Sequence, residues 1–139
     1  MTLRALPVLT ALVLTLAVAP PVFAKDIVGT DVGETLVGFG KPDTISGLGG
    51  GDRLEGRGGG DTLKGGTGGD TLLGGRGDDT ILPGPDGDTV NAGAGNDKVI
   101  LKHDGFGDPV NCGPGRDHVY VHGRDPGDVF IDCETVTYQ

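Results

Sequence analysis

Tryptophan is absent from this 139-residue chain, aromatic residues make up 4% of it, and it holds one methionine and one serine, Ser46. That excludes a thick conventional core, which needs large side chains. Bases are scarce as well: 11 stand against 20 acids, a formal net charge of −9. Nothing here can neutralise a phosphate backbone, which argues against a nucleic-acid partner and points to cations. Nucleophiles are few. Ser46 stands alone and the two cysteines suit a bond to each other. The carboxylates suggest no substrate pocket, so the chain reads as a binding protein and not as an enzyme.

Glycine is what the chain has in quantity, 29 residues of it. Glycine-rich backbone loses more conformational entropy on folding than other sequences do. Either this chain stays disordered or something besides apolar burial holds it.

The first 24 residues differ from the rest. Arg4 precedes an apolar run from Ala5 to Val18, and Val22-Phe23-Ala24 is a small-residue cleavage pattern. This predicts a secretory signal peptide over 1–24, cut after Ala24, with an uncleaved membrane anchor as the alternative. No later apolar run is long enough for a bilayer, so no membrane span is expected in the mature chain. Arg4 is the only charge removed, so the mature net charge is −10. The expected location is secreted and extracellular, with retention at the cell surface left open.

From Gly29 the chain divides into nonapeptides without a slip: GTDVGETLV, GFGKPDTIS, GLGGGDRLE, GRGGGDTLK, GGTGGDTLL, GGRGDDTIL, PGPDGDTVN and AGAGNDKVI, ending at Ile100. The sixth position is always acidic: Glu34, Asp43, Asp52, Asp61, Asp70, Asp79, Asp88 and Asp97. The eighth is always aliphatic, from Leu36 to Val99. Two eleven-residue units, LKHDGFGDPVN and VHGRDPGDVFI, flank a nine, CGPGRDHVY, and carry the acids onward as Asp108, Asp117 and Asp128. Glycine and aspartate suit turns, and triplets such as Thr-Leu-Lys suit short strands. Turn plus strand at constant length must coil. With two nonapeptides per circuit, the eighth positions meet in a thin core and positions seven and nine face water.

The acids then form two columns, Glu34, Asp52, Asp70, Asp88, Asp108, Asp128 on one edge and Asp43, Asp61, Asp79, Asp97, Asp117 on the other. Carboxylates about 4.8 Å apart, the strand spacing, repel unless cations sit between them. Calcium suits such gaps better than magnesium, because it accepts irregular oxygen cages.

GGTGGDTLL (Gly65–Leu73) and GGRGDDTIL (Gly74–Leu82) fit G-G-x-G-x-D-x-U-x at every defined position. Over residues 29 to 131 the chain resembles the RTX, or hemolysin-type, calcium-binding repeat family, in particular its short, stand-alone secreted members with similar CGPGRD and DCE segments. The resemblance implies an all-β fold, a parallel β-roll (right-handed β-solenoid) over 25–139. Several Ca2+ ions would lie between consecutive turns, held by turn carbonyls and by Asp52, Asp61, Asp70, Asp79, Asp88, Asp97 and Asp117. Residues 29–46 are degenerate, with Glu34 for Asp and Lys41-Pro42 in the turn, and read as an N-terminal cap. Residues 47–100 are the regular repeats and 101–139 an irregular C-terminal cap, whose eleven-residue units have the length to bulge out and lose their sites.

Cys112 and Cys133 fall on adjacent coils of one edge, within disulfide reach. A bridge there would bond the C-terminal coil and, for a loop of about 20 residues, contribute roughly 3 kcal/mol. Three further readings stay open. Leu82 and Ile100, outward on adjacent coils, form a small patch for a cell-surface or protein partner, as in an adhesion or matrix protein. The outward threonines at position seven suit an ice-binding face. His118 and His122 read as surface residues.

Overall fold

The computed structural model describes residues 25–139. The signal-peptide reading of residues 1–24 lies outside the described residues. Thirteen strands make up the fold: β1 (Asp26–Val28), β2 (Thr35–Val37), β3 (Thr44–Gly49), β4 (Arg53–Gly58), β5 (Thr62–Thr67), β6 (Thr71–Arg76), β7 (Thr80–Leu82), β8 (Thr89–Ala94), β9 (Lys98–Lys102), β10 (Pro109–Asn111), β11 (His118–His122), β12 (Val129–Ile131) and β13 (Thr135–Tyr138). Odd strands form a seven-stranded sheet and even strands a six-stranded one. Every pairing is parallel, so the chain is an all-β parallel solenoid of about six turns.

The register follows the repeat. Leu36 pairs with Leu54 and Ile45 with Leu63, one circuit of two nonapeptides apart. The eleven-residue units lengthen that step, so Val90 pairs with Val110 and Val99 with Val119. They do not bulge out of the stack. The turns that hold their extra residues, 103–108 and 123–128, lie one on the other: the Asp108 amide donates to Asp128 Oδ1 at 3.1 Å, and a Cβ added to Gly107 would strike Gly127.

The strands are longer than the expected triplets. In β3–β6 and β8 they run six residues, through the glycines at positions one to three. Glycine lets this happen because position two has a left-handed φ, +118° at Gly66 and +113° at Gly75. Leu48 (φ 79°) and Arg57 (φ 75°) take the same conformation with side chains.

The core is one residue thick where the repeats are most regular. Ile45, Leu54, Leu63, Leu72, Ile81, Val90, Val99, Val110 and Val119 are at most 1% exposed. A second column appears towards the C-terminus, where position one changes from glycine to Ala92, Leu101, Cys112 and Val121, all buried. Cys112 and Cys133 form a disulfide, with Cα atoms 5.1 Å apart, that ties β10 to the segment after β12. Half-turns also close both ends. Ile27 pairs with Ile45 at the start and Val136 with Val119 at the finish.

Candidate metal centre

Strands β2 to β12 each begin just after a position-six acid, which places the acids at the mouths of the turns. The stacking matches the two columns drawn from the period. On one edge the amides of Glu34, Asp52, Asp70 and Asp88 donate to Oδ1 of Asp52, Asp70, Asp88 and Asp108 at 2.7–2.9 Å. On the other, Asp43, Asp61, Asp79 and Asp97 donate likewise to Asp61, Asp79, Asp97 and Asp117 at 2.7–2.8 Å. One carboxylate oxygen per aspartate is thus fixed by the backbone of the preceding coil. The column continues past the expected acids, because Asp117 donates to Glu134.

The second oxygen behaves differently along the molecule. Oδ2 of Asp52, Asp61, Asp70, Asp79, Asp88, Asp97 and Asp117 is buried without a hydrogen-bond partner. These residues are 1–3% exposed. Buried oxygens with no partner carry a desolvation cost, and an ionised carboxylate carries the most. In the first coil the equivalent oxygens are satisfied: Phe39 donates to Asp43 Oδ2 at 2.7 Å and Thr30 to Glu34 Oε2 at 2.6 Å.

The backbone at position two accounts for the difference. Thr30 and Phe39 occupy that position with ordinary φ, and their N–H groups turn inward to the acid. Leu48, Arg57, Gly66, Gly75, Gly84, Gly93 and Gly113 occupy it with φ between 75° and 130°. There the N–H turns to the next coil instead, as Gly66 does to Pro83 O and Gly93 to Cys112 O. Each of these seven units is one whose aspartate has an unpartnered Oδ2.

Carbonyl oxygens line the same gaps. A Cβ added at Gly47, Gly56, Gly65 or Gly74 would strike both the Oδ2 of its own unit's aspartate and a carbonyl of the next coil. A Cβ at Gly68 or Gly77 would strike the carbonyl of Gly50 or Gly59. Glycine is needed there to leave room for oxygen, not for flexibility. Among the described residues no three His, Cys, Asp or Glu side chains gather at one point, so a cation here must draw on main-chain oxygen as well.

The electrostatics fit a missing positive charge. Burial pushes the Asp79 and Asp88 carboxyls up to about 7 and those of Asp97 and Asp108 to about 6, and neighbouring carboxylates push the same way. Asp61, Asp70 and Asp117 are also raised, burial again the main cause. The ion pairs among the described residues join Arg53 and Arg57 to Glu55, and His103 to Asp125. None reaches a position-six acid. An all-oxygen, anionic, glycine-lined gap suits a hard cation of flexible coordination, and calcium fits it.

A model of the RTX calcium-binding nonapeptide repeat matches residues 28–63, 55–90 and 64–99. The chain belongs to the RTX calcium-binding repeat family. No curated protein matches it. The family match ends at residue 99, so the eleven-residue units, Asp117 and the disulfide lie beyond it. Within the RTX stretch, the repeats and the solenoid together support calcium binding.

Proposed function

We propose that this is an extracellular protein whose roll folds as calcium enters between its stacked turns. Asp52, Asp61, Asp70, Asp79, Asp88, Asp97 and Asp117 supply carboxylate oxygens and the glycine turns supply carbonyls. The observation that carries this reading is the pair of columns of buried, unpartnered Oδ2 atoms. Bound calcium supplies the positive charge that these carboxylates otherwise lack. The residues do the rest: each aspartate is held through Oδ1 by the coil before it, so Oδ2 is aimed in advance. With a mature charge of −10 and a core one residue thick, the metal-free chain is expected to be largely unfolded. Extracellular calcium is high enough for sites of about 10⁻⁴ to 10⁻³ M. The role is binding and structural, and the secretory leader read from the sequence agrees with it.

Far-UV circular dichroism of the metal-free protein, titrated with calcium and separately with magnesium, tests this. A cooperative coil-to-strand change with calcium and none with magnesium is expected. A spectrum already rich in strand without metal, and indifferent to calcium, overturns the coupling of folding to the ion.

One observation favours a second reading, adhesion. Leu48, Leu82, Pro85 and Ile100, together with Lys64 and Lys102, line a groove of about 430 Å³ on the seven-stranded face. Leu82→Asp with Ile100→Asp separates the readings: loss of surface or partner binding with calcium-dependent folding intact supports adhesion.

A further inference from the structure

The unit Leu101–Asn111 breaks the nonapeptide rule and lies past the matched repeats. Its turn, His103–Asp108, is nevertheless built with care. Asp125 from the next coil is 5% exposed and accepts from the amides of Asp104 (3.0 Å) and Gly105 (3.1 Å). His103 Nδ1 lies 2.6 Å from the same carboxylate. Burial works against ionisation of Asp125, yet these amides and His103 hold its carboxyl below the usual range. The backbone at residues 104 and 105 is therefore clamped from the coil above.

Position two of this unit is Lys102, without the left-handed φ, and Asp108 Oδ2 is not among the orphaned oxygens. Asp104 Oδ2 is. Among the described residues, the carboxylate oxygens buried without a partner belong to the seven position-six aspartates and to Asp104. Asp104 Oδ1 accepts from the Phe106 amide at 2.9 Å, the ordinary behaviour of aspartate in a turn. That accounts for one oxygen and leaves the other unexplained. On the coil below, under Asp108 of the same turn, sits Asp88, 1% exposed, with its own Oδ2 unpartnered. The charge of Asp104 bears on both Asp88 and Asp108. The nearby base, His103, is already engaged with Asp125.

We propose that Asp104 is an added ligand from outside the position-six column, supplying a carboxylate oxygen to the divalent cation that Asp88 holds between the turn at residues 83–88 and the turn at residues 103–108. The two extra residues of the unit do not abolish a site; they bring in a side chain that no nonapeptide turn has. This rests on the reading that position-six carboxylates hold calcium.

Phe106 offers a local probe. It is 54% exposed, two residues from Asp104, and the chain has no tryptophan. In Phe106→Trp, excitation of the indole should sensitise the emission of terbium(III) bound at this turn, and calcium should displace it. Adding Asp104→Asn, which keeps an oxygen for the Phe106 amide, should weaken that terbium titration at least tenfold while circular dichroism in calcium is unchanged. Asp104→Ser, which also keeps a turn acceptor, serves if the Asn variant fails to fold. No sensitised emission in Phe106→Trp, or the same midpoint after Asp104→Asn, overturns the site. The roll reading survives that result, and falls only if the unsubstituted protein shows no calcium-dependent folding.

Discussion

The first coil and the central coils are built on one repeat, yet they leave their acids in opposite states. Asp43 and Asp52 are nine residues apart and both 3% exposed. Asp43 accepts at both oxygens, from the amides of Lys25 (2.8 Å) and Phe39 (2.7 Å). Asp52 accepts from Glu34 at one oxygen and has nothing at the other. The acid and its burial are the same; the backbone four residues earlier differs. A left-handed φ at position two removes the local donor, and a turn that would have satisfied itself is left needing a cation. The first coil satisfies its own acids, whereas the coils above it leave one oxygen of each acid for the proposed cation.

Acid should break this difference most. In the metal-free roll the carboxyls of Asp79 and Asp88 lie near 7, against 3.8 for an unperturbed aspartate. Between those values the folded state holds more protons than the unfolded chain, so stability falls as pH rises. The contribution of these groups is fully present below about 3.8 and is lost on passing 7. Metal-free protein should therefore contain more strand at pH 4 than at pH 7.5, protons standing in for calcium. The calcium midpoint should tighten over the same rise in pH, because the ion competes with fewer protons. Circular dichroism across that range checks both, and strand content that rises with pH in the absence of metal counts against the columns as metal-seeking carboxylates.

Glycine sharpens the comparison next. Gly77 has φ +117°, and a Cβ there would strike the Gly59 carbonyl. Gly40, in the turn of the first coil, has nothing within 4 Å of its added Cβ. Gly77→Ala should destabilise the calcium-loaded roll by roughly 3 kcal/mol, from strain and overpacking together. Gly40→Ala should stay within about 0.5 kcal/mol, as an exposed substitution does. Thermal unfolding of both variants in calcium decides the matter, and equal losses would mean that position-four glycines serve flexibility, not the oxygen-lined gap.

Much of this was legible in the sequence, because a fixed period converts directly into stacking. The columns, the eighth-position core and the pairing of Cys112 with Cys133 all follow from counting in nines and elevens. What escaped was carried by single positions. Lys25 stands where the repeat has an acid, so the half-turn at Ile27 went unnoticed, as did Glu134-Thr135-Val136 at the other end. The second core column was visible only as a change of letter at position one, from glycine to Ala92, Leu101, Cys112 and Val121. The orphaned Oδ2 atoms depend on φ at position two, and Leu48 and Arg57 conceal it because side chains seldom adopt that conformation. The clamp of Asp125 and His103 on the turn at Asp104 spans one circuit, but it joins residues outside position six, where the repeat prescribes no side chain.

The subtlest test exchanges one oxygen for nitrogen in each region. Asp79→Asn removes a carboxylate whose Oδ2 has no partner. In the metal-free protein this deletes a buried charge that repels Asp97, Asp61 and Asp78, so the variant should be no less structured than the parent. In calcium it removes a proposed ligand, and the midpoint should weaken by about tenfold, near 1.4 kcal/mol, the lower end of what even an outer-shell partner costs a metal site. Asp43→Asn acts without reference to metal. Its amide group must face the Phe39 or Lys25 N–H, donor against donor, at a cost of about 1–3 kcal/mol with and without calcium. Paired calcium and denaturant titrations of the two variants measure this. If Asp43→Asn shifts the calcium midpoint as Asp79→Asn does, the first coil binds the ion too, and the left-handed residue at position two is not what makes a turn a receptor.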